Sequence, residues 1–136
     1  MLNGVVFVCL GNSCRSIMAE ALARQLLPDS KRIASAGIRP LGYIAEETLM
    51  VLAEAGIATE GLWSKGLTDI DLAQFSLLVN LTAYNIDAYL PQAFHGRVMC
   101  HPVVDPFGRT LEAYREARDV IRRFIEADLQ SFLLIL

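Results

Sequence analysis

Val5-Val6-Phe7-Val8 is a run of β-branched and aromatic residues with no polar residue among them. A half-buried strand alternates apolar and polar side chains, whereas an unbroken apolar run is wet on neither face. Such a strand belongs inside a parallel sheet, with a layer packed on each side. A parallel neighbour cannot be reached through a tight turn, so crossover segments must follow, and these are usually helices.

The rest of the chain is patterned to supply them. Ser16 to Leu27 has helical spacing, with Met18, Leu22 and Leu26 on one face and a Glu20–Arg24 pair at i,i+4, and Pro28 stops it. Arg32 to Ala36 reads as a second strand ended by Gly37, and Ala45 to Ala55 as a helix closed by Gly56. Leu77-Leu78-Val79 reads as a third buried strand, Ala83 to Leu90 as a short helix before Pro91, and Val98-Met99 as a short fourth strand. Leu111 to Leu133 is a long amphipathic pattern with Tyr114, Ala117, Ile121, Ile125, Leu129 and Phe132 inward. The expected class is α/β, with four parallel strands between two covering layers. In such sheets ligands bind at the carboxyl ends of the strands, and the first strand ends at Cys9.

The 136 residues, just over half of them apolar, suit one domain spanning 1–136, and no repeat or linker divides them. A net charge of -3 gives no basic surface for nucleic acid. Val5 to Leu10 is too short to span a bilayer and lacks a basic head and a cleavage pattern, so no membrane or secretory segment is expected. The apolar end, Phe132 to Leu136, reads as the tail of a docked helix. Three cysteines, Cys9, Cys14 and Cys100, do not make a secreted disulfide framework, so a reducing cytoplasm is the expected compartment.

The segment after the first strand reads Cys9-Leu10-Gly11-Asn12-Ser13-Cys14-Arg15-Ser16. Gly11 and Asn12 tolerate left-handed backbone angles, so the loop can curl and turn its N–H groups toward one point. The following helix adds its free amides, and Arg15 adds a planar fork that fits a phosphate. Cys9 at the mouth of such a nest, with Ser16 donating to it, is a stabilised thiolate held against a bound phosphoryl group. That arrangement suits covalent phosphoryl transfer. Asp105-Pro106-Phe107-Gly108 suits a tight turn on its own. Beside a thiolate nucleophile, its carboxyl can also protonate a leaving oxygen. His95 and His101 lack ligand spacing, so no metal is expected. Cys100 reads as a small buried residue, and Trp63, Tyr43 and Tyr89 as parts of the core.

Cys9-(five residues)-Arg15-Ser16 at the N-terminus, followed by Met18-Ala19-Glu20, resembles the low-molecular-weight protein tyrosine phosphatase family. Ser35-Ala36-Gly37 and Asp105-Pro106-Phe107-Gly108 match that family in order and spacing, so the resemblance covers essentially the whole chain. It implies a flavodoxin-like three-layer sandwich with a four-stranded parallel sheet, and a phosphocysteine mechanism without metal or cofactor. By the same resemblance Cys9 is the nucleophile, Arg15 the clamp and Asp105 the general acid. Leu10, Gly11, Asn12, Ser13, Cys14 and Arg15 form the phosphate loop. Asn12, Ser16 and Ser35 support it, and Leu41 and Phe107 are walls. The implied partner is a phosphorylated protein, with inhibition by phosphate or vanadate-like anions. In the family a cysteine placed as Cys14 is can capture an oxidised nucleophile as a reversible disulfide.

The chain also departs from the family pattern. Ile17 replaces the usual Pro after Arg-Ser, and Trp63-Ser64-Lys65-Gly66-Leu67-Thr68 replaces the family's Arg-Gln-type segment. Leu41 stands where tyrosine-directed members carry an aromatic wall, and Ser13 where they carry Ile. Ser13, Ser64, Leu67-Thr68 and Leu81-Thr82 lean toward the related protein-arginine phosphatases. Phosphotyrosine is therefore the first expectation and phosphoarginine its competitor. Arsenate reduction is a weaker alternative, because Asn80-Leu81-Thr82 lacks the cysteines that many such reductases carry there. A non-catalytic anion-binding module is weaker still, since Cys9, Arg15 and Asp105 are all present.

Overall fold

A computed structural model describes residues 4–27, 31–92 and 94–133. Four parallel strands form one sheet: β1 (Gly4–Cys9), β2 (Arg32–Gly37), β3 (Leu77–Asn80) and β4 (Arg97–Cys100), in the order β2-β1-β3-β4. The unbroken apolar run is the physical centre of the fold. Val5, Val6, Phe7 and Val8 are all fully buried, as are Leu77, Leu78 and Val79 beside them. Each such side chain contributes roughly 1.5–3 kcal/mol relative to remaining exposed.

The helices α1 (Arg15–Leu26), α2 (Glu46–Glu54) and α3 (Leu111–Arg123) share one face of the sheet. There Val5, Phe7, Leu77 and Val79 pack with Met18, Leu22, Leu52, Tyr114 and Ile121. The helix begun by α3 runs on through a π-helical stretch, Phe124–Leu129, and a last α turn, Gln130–Leu133, with Ile125 and Leu129 buried and Phe132 packed against the core. The opposite face, with Val6, Val8 and Leu78, is covered by Leu72, Phe75 and Ile86 from segments that contain only short 3-10 turns. The third layer is thus thinner than the two helical layers the sequence suggests.

The helix cap expected at Gly56 forms, as a Schellman motif. Gly56 has φ +73°, its N–H donates to Ala53 O at 3.0 Å, and the Ile57 N–H donates to Leu52 O at 3.0 Å. The expected stop at Pro28 falls outside the described residues.

Three expectations need correction. Ala83 to Leu90 is not a helix; only Asp87–Tyr89 makes a 3-10 turn. Asn80, Thr82 and Asn85 side chains bind the local backbone and compete with helical hydrogen bonds. Cys100 is exposed, because β4 is an edge strand of mostly exposed residues. Tyr43, Trp63 and Tyr89 each stay about half exposed, lying in connections rather than in the core.

Candidate active site

β1 ends at Cys9 and α1 begins at Arg15, so five residues must join a buried strand to a buried helix. The turn uses Asn12 at φ +46°, in the left-handed region. Neighbouring segments hold the loop by its carbonyls. Ile38 N–H donates to Cys9 O (3.1 Å), Arg39 N–H to Leu10 O (2.8 Å) and Leu41 N–H to Gly11 O (3.0 Å). Thr48 Oγ1 donates to Ser13 O at 2.8 Å and Ser64 Oγ to Gly11 O at 3.2 Å. With the carbonyls drawn outward, the amides of Gly11, Asn12, Ser13 and Cys14 have no acceptor among the described residues. Gly37 makes this closeness possible, because a Cβ there would lie 2.8 Å from both Asn12 N and Leu10 O.

Cys9 is buried with its sulfur 2.8 Å from Ser16 Oγ and 3.4 Å from Ser16 N. The direction of the first contact follows from its neighbours. Lys65 N–H donates to Asn12 Oδ1 at 2.8 Å, which fixes the carboxamide orientation. Asn12 Nδ2 then donates to Ser16 Oγ at 2.7 Å and to Ser35 Oγ at 2.9 Å. Ser16 Oγ accepts from Asn12 and, among the described residues, has the Cys9 sulfur as the sole acceptor for its own proton. The sulfur thus accepts from both the hydroxyl and the main-chain N–H of Ser16.

Arg15 is buried, and main-chain oxygens hold it: Nη1 donates to Val103 O at 3.0 Å and Leu81 O at 3.3 Å. Its Nη2 lies 3.4 Å from Asp105 Oδ2, while its Nε is buried without an acceptor. A buried guanidinium with a free donor beside a nest of free amides suits an anion. Asp105 is half exposed, and its Oδ1 accepts from Phe107 N–H at 3.1 Å. The turn reading of this residue thus forms, and its other carboxylate oxygen faces the arginine.

These groups surround a cavity of about 280 Å³, lined by Cys9, Leu10, Gly11, Ser13, Cys14, Arg15, Arg39, Leu41, Asp105 and Phe107. Every residue expected to line it does so except Asn12, whose side chain lies buried behind the loop. Ser13 Oγ accepts from Ala45 N–H at 2.8 Å. Cys14 donates to Tyr114 Oη at 3.7 Å beneath the loop. Burial pushes the Cys14 thiol up, against the lowering effect of that contact. Burial likewise raises the Tyr114 phenol.

Three residues around the loop and cavity carry no role at the site in the sequence reading. Arg39 lines the cavity, Lys65 is buried behind the loop, and Glu20 is buried between Lys65 and the expected Arg24 partner. A spacing of four marks one of them: Asn12, Ser16 and Glu20 fall on one line down the loop and α1. Among the described residues no group of His, Cys, Asp or Glu is arranged to hold a metal ion, and no helix is long and apolar enough to cross a membrane.

The sheet with its thiol-bearing anion loop defines a flavodoxin-like α/β protein built around a cysteine at the carboxyl edge. The family model for "Low molecular weight phosphotyrosine protein phosphatase" matches residues 4–132, and the chain belongs to that family. It is 32% identical over 137 residues to "Probable low molecular weight protein-tyrosine-phosphatase EpsP" of Ralstonia nicotianae, covering 93% of this chain and 94% of that one. It is also 32% identical over 123 residues to an arsenate reductase of Staphylococcus aureus, covering 90% of this chain and 92% of that one. Among solved structures, the YwlE arginine phosphatase from Geobacillus stearothermophilus superposes with a TM-score of 0.83 at 28% identity, covering 98% and 96% of the two chains.

Proposed function

We propose that the chain hydrolyses phosphotyrosine in proteins, with Cys9 as nucleophile, Arg15 as clamp and Asp105 as acid and base. The observation that carries the reading is the Cys9 sulfur, which accepts from Ser16 at the floor of a cavity ringed by free loop amides and Arg15. The thiolate attacks phosphorus and forms an S–P bond as the P–O bond to the leaving group breaks. Asp105 gives its proton to that oxygen. Water then attacks the phosphocysteine, Asp105 takes the water proton, the S–P bond breaks and phosphate departs. Loop amides and Arg15 stabilise the charge on the equatorial oxygens in both steps. The same donors account for inhibition by phosphate or vanadate-like anions. One domain over residues 1–136 in a reducing cytoplasm completes the reading, consistent with three unpaired cysteines.

Phosphotyrosine is favoured by the walls. Leu10, Leu41 and Phe107 present apolar surface to a ring, and Arg39 adds a cation where phosphoarginine would bring another. Ser13 favours the second reading, a phosphoarginine phosphatase. Its hydroxyl accepts from Ala45 and keeps a proton to donate at the cavity, with the Asp105 carboxylate opposite to meet a guanidinium. Arsenate reduction would need electrons from a succession of thiols, and the segment after β3 offers none.

The deciding measurement compares kcat/KM for phosphotyrosine and phosphoarginine peptides in the wild type and in Ser13→Ile. The wild type should turn over both and prefer phosphotyrosine, with Ser13→Ile shifting the ratio further that way. Turnover of phosphoarginine alone would replace the substrate and leave the three roles in place. No hydrolysis of p-nitrophenyl phosphate, or equal hydrolysis without Cys9, would end the phosphatase reading.

A further inference from the structure

Behind the phosphate loop, on the side away from the cavity, lies a buried chain of polar side chains that ends in an ammonium group. Lys65 is 4% exposed, although the segment around it, Trp63 to Thr68, is a surface connection with an exposed tryptophan. All three of its ammonium protons are placed: on Trp63 O at 3.0 Å, on Ser35 Oγ at 3.2 Å and on Glu20 Oε1 at 3.1 Å. Glu20 is 1% exposed, and its second oxygen accepts from Arg24.

The consequence lies in how the protons are ordered. An ammonium group can only donate. Ser35 Oγ accepts from Lys65 and from Asn12, so its single proton is left for Glu20 Oε1, with which it is in contact. Ser35 therefore cannot donate to Asn12, and the Asn12 carboxamide keeps Nδ2 toward both serines. Ser16 accepts from Asn12 and gives its proton to Cys9. The Lys65 N–H occupies Asn12 Oδ1, and the bonds of its ammonium group to Glu20, Ser35 and Trp63 O hold that N–H in place. One residue thus sets the direction of the chain at two points.

We propose that Lys65, held by Glu20, is a positioning residue for the nucleophile: it orients the Ser35–Asn12–Ser16 chain so that the Ser16 proton is committed to the Cys9 sulfur. This rests on Cys9 being the reacting thiol. Chain order makes Lys65 hard to notice, since it sits 56 residues from Cys9 in a segment that departs from the family pattern.

The test removes both charges together, in Lys65→Met/Glu20→Gln, and restores the cation alone in Lys65→Arg. Paired removal avoids stranding one buried charge. Four quantities are read: melting temperature, alkylation rate of Cys9 by iodoacetamide at fixed neutral pH, kcat for p-nitrophenyl phosphate, and the inhibition constant of inorganic phosphate. In the double variant, alkylation and kcat should each fall about tenfold or more, in line with loss of a group that orients a reactive one. The phosphate inhibition constant should stay within about twofold, because loop amides and Arg15 supply it. Lys65→Arg should recover most of the alkylation rate. Wild-type alkylation in the double variant overturns the proposal. So does a phosphate inhibition constant that rises in step with the loss of kcat, and so does a double variant that fails to fold, since either assigns the pair to stability alone. Alkylation is read without any phosphoester, so a wild type that is not a phosphatase would show in the turnover assay and leave the alkylation result standing.

Discussion

The loop after β1 and the loop after β3 leave adjacent strands at the same edge of the sheet, and each contains an asparagine and hydroxyl residues. In the first, surrounding segments bind the carbonyls and the Asn12 side chain binds Ser16, Ser35 and the Lys65 N–H, so the amides stay free. In the second, Asn80 Oδ1 takes the N–H and hydroxyl of Thr82, Asn80 Nδ2 donates to Tyr84 O, and Thr82 Oγ1 accepts from Tyr84 N–H. That loop turns its own side chains onto its own backbone. A loop becomes a binding site when something outside it does the work of satisfying it.

Cutting into the first loop should have the largest effects. Cys9→Ser should lower kcat by about 10⁴-fold or more, as loss of a nucleophile does, while phosphate or vanadate binding survives. Binding lost along with turnover would mean that sulfur, not the amides, supplies the affinity. Asp105→Asn should slow esters with poor leaving groups by about 10²–10⁴-fold and nitrophenyl esters much less. Equal losses for both would leave Asp105 as a turn residue only.

Next come two substitutions of similar cost and different consequence. Gly37→Ala drives a methyl into Asn12 N and Leu10 O, at about 1–3 kcal/mol of stability, and should weaken phosphate inhibition too. Asn80→Ala strands the Thr82 groups, again at about 1–3 kcal/mol, but should leave the phosphate inhibition constant nearly unchanged. If both weaken phosphate equally, the two loops are not independent.

The smallest effect lies outside both loops. Hydrogen bonds from Arg115, then Arg118, hold the exposed Glu54 carboxyl below its ordinary 4.5. A depressed folded-state value means this contribution is complete above the unfolded value and is lost as pH falls through the folded one. The melting-temperature gap between wild type and Glu54→Gln should therefore close as pH is lowered from about 6 to about 3, with kcat/KM unaffected at neutral pH. A gap that stayed constant would rule out the ion pairs as its source.

How much the chain reveals in advance depends on how local the signal is. The Val5–Val8 run, the Gly56 cap and the Cys9–Ser16 loop are written within a few consecutive residues, and each forms, with Asn12 and not Gly11 taking the left-handed angle in the loop. Lys65 and Arg39 carry no such signal. They reach the site only because the fold brings a connection against the loop, and a lone basic residue in a connection reads as solvated. Glu20 was half visible: its Arg24 pair is local, but its burial follows from where Lys65 lands. Ala83 to Leu90 misleads because its periodicity is helical while Asn80, Thr82 and Asn85 bind the backbone instead. Cys100 misleads because nothing in four residues of strand tells an edge from a centre.

The acceptors that hold Arg15 are the carbonyl oxygens of Leu81 and Val103. Every amino acid has that oxygen, proline included. No side-chain substitution at either position can delete the acceptor, provided the strand ends stay where they are. The loop amides share this immunity, and only proline would remove one. The surroundings of Arg15 are thus free to drift in sequence as long as the backbone path persists, and substitutions there can reshape the cavity walls without releasing the guanidinium. A scaffold of this kind can change what it recognises more readily than how it holds it.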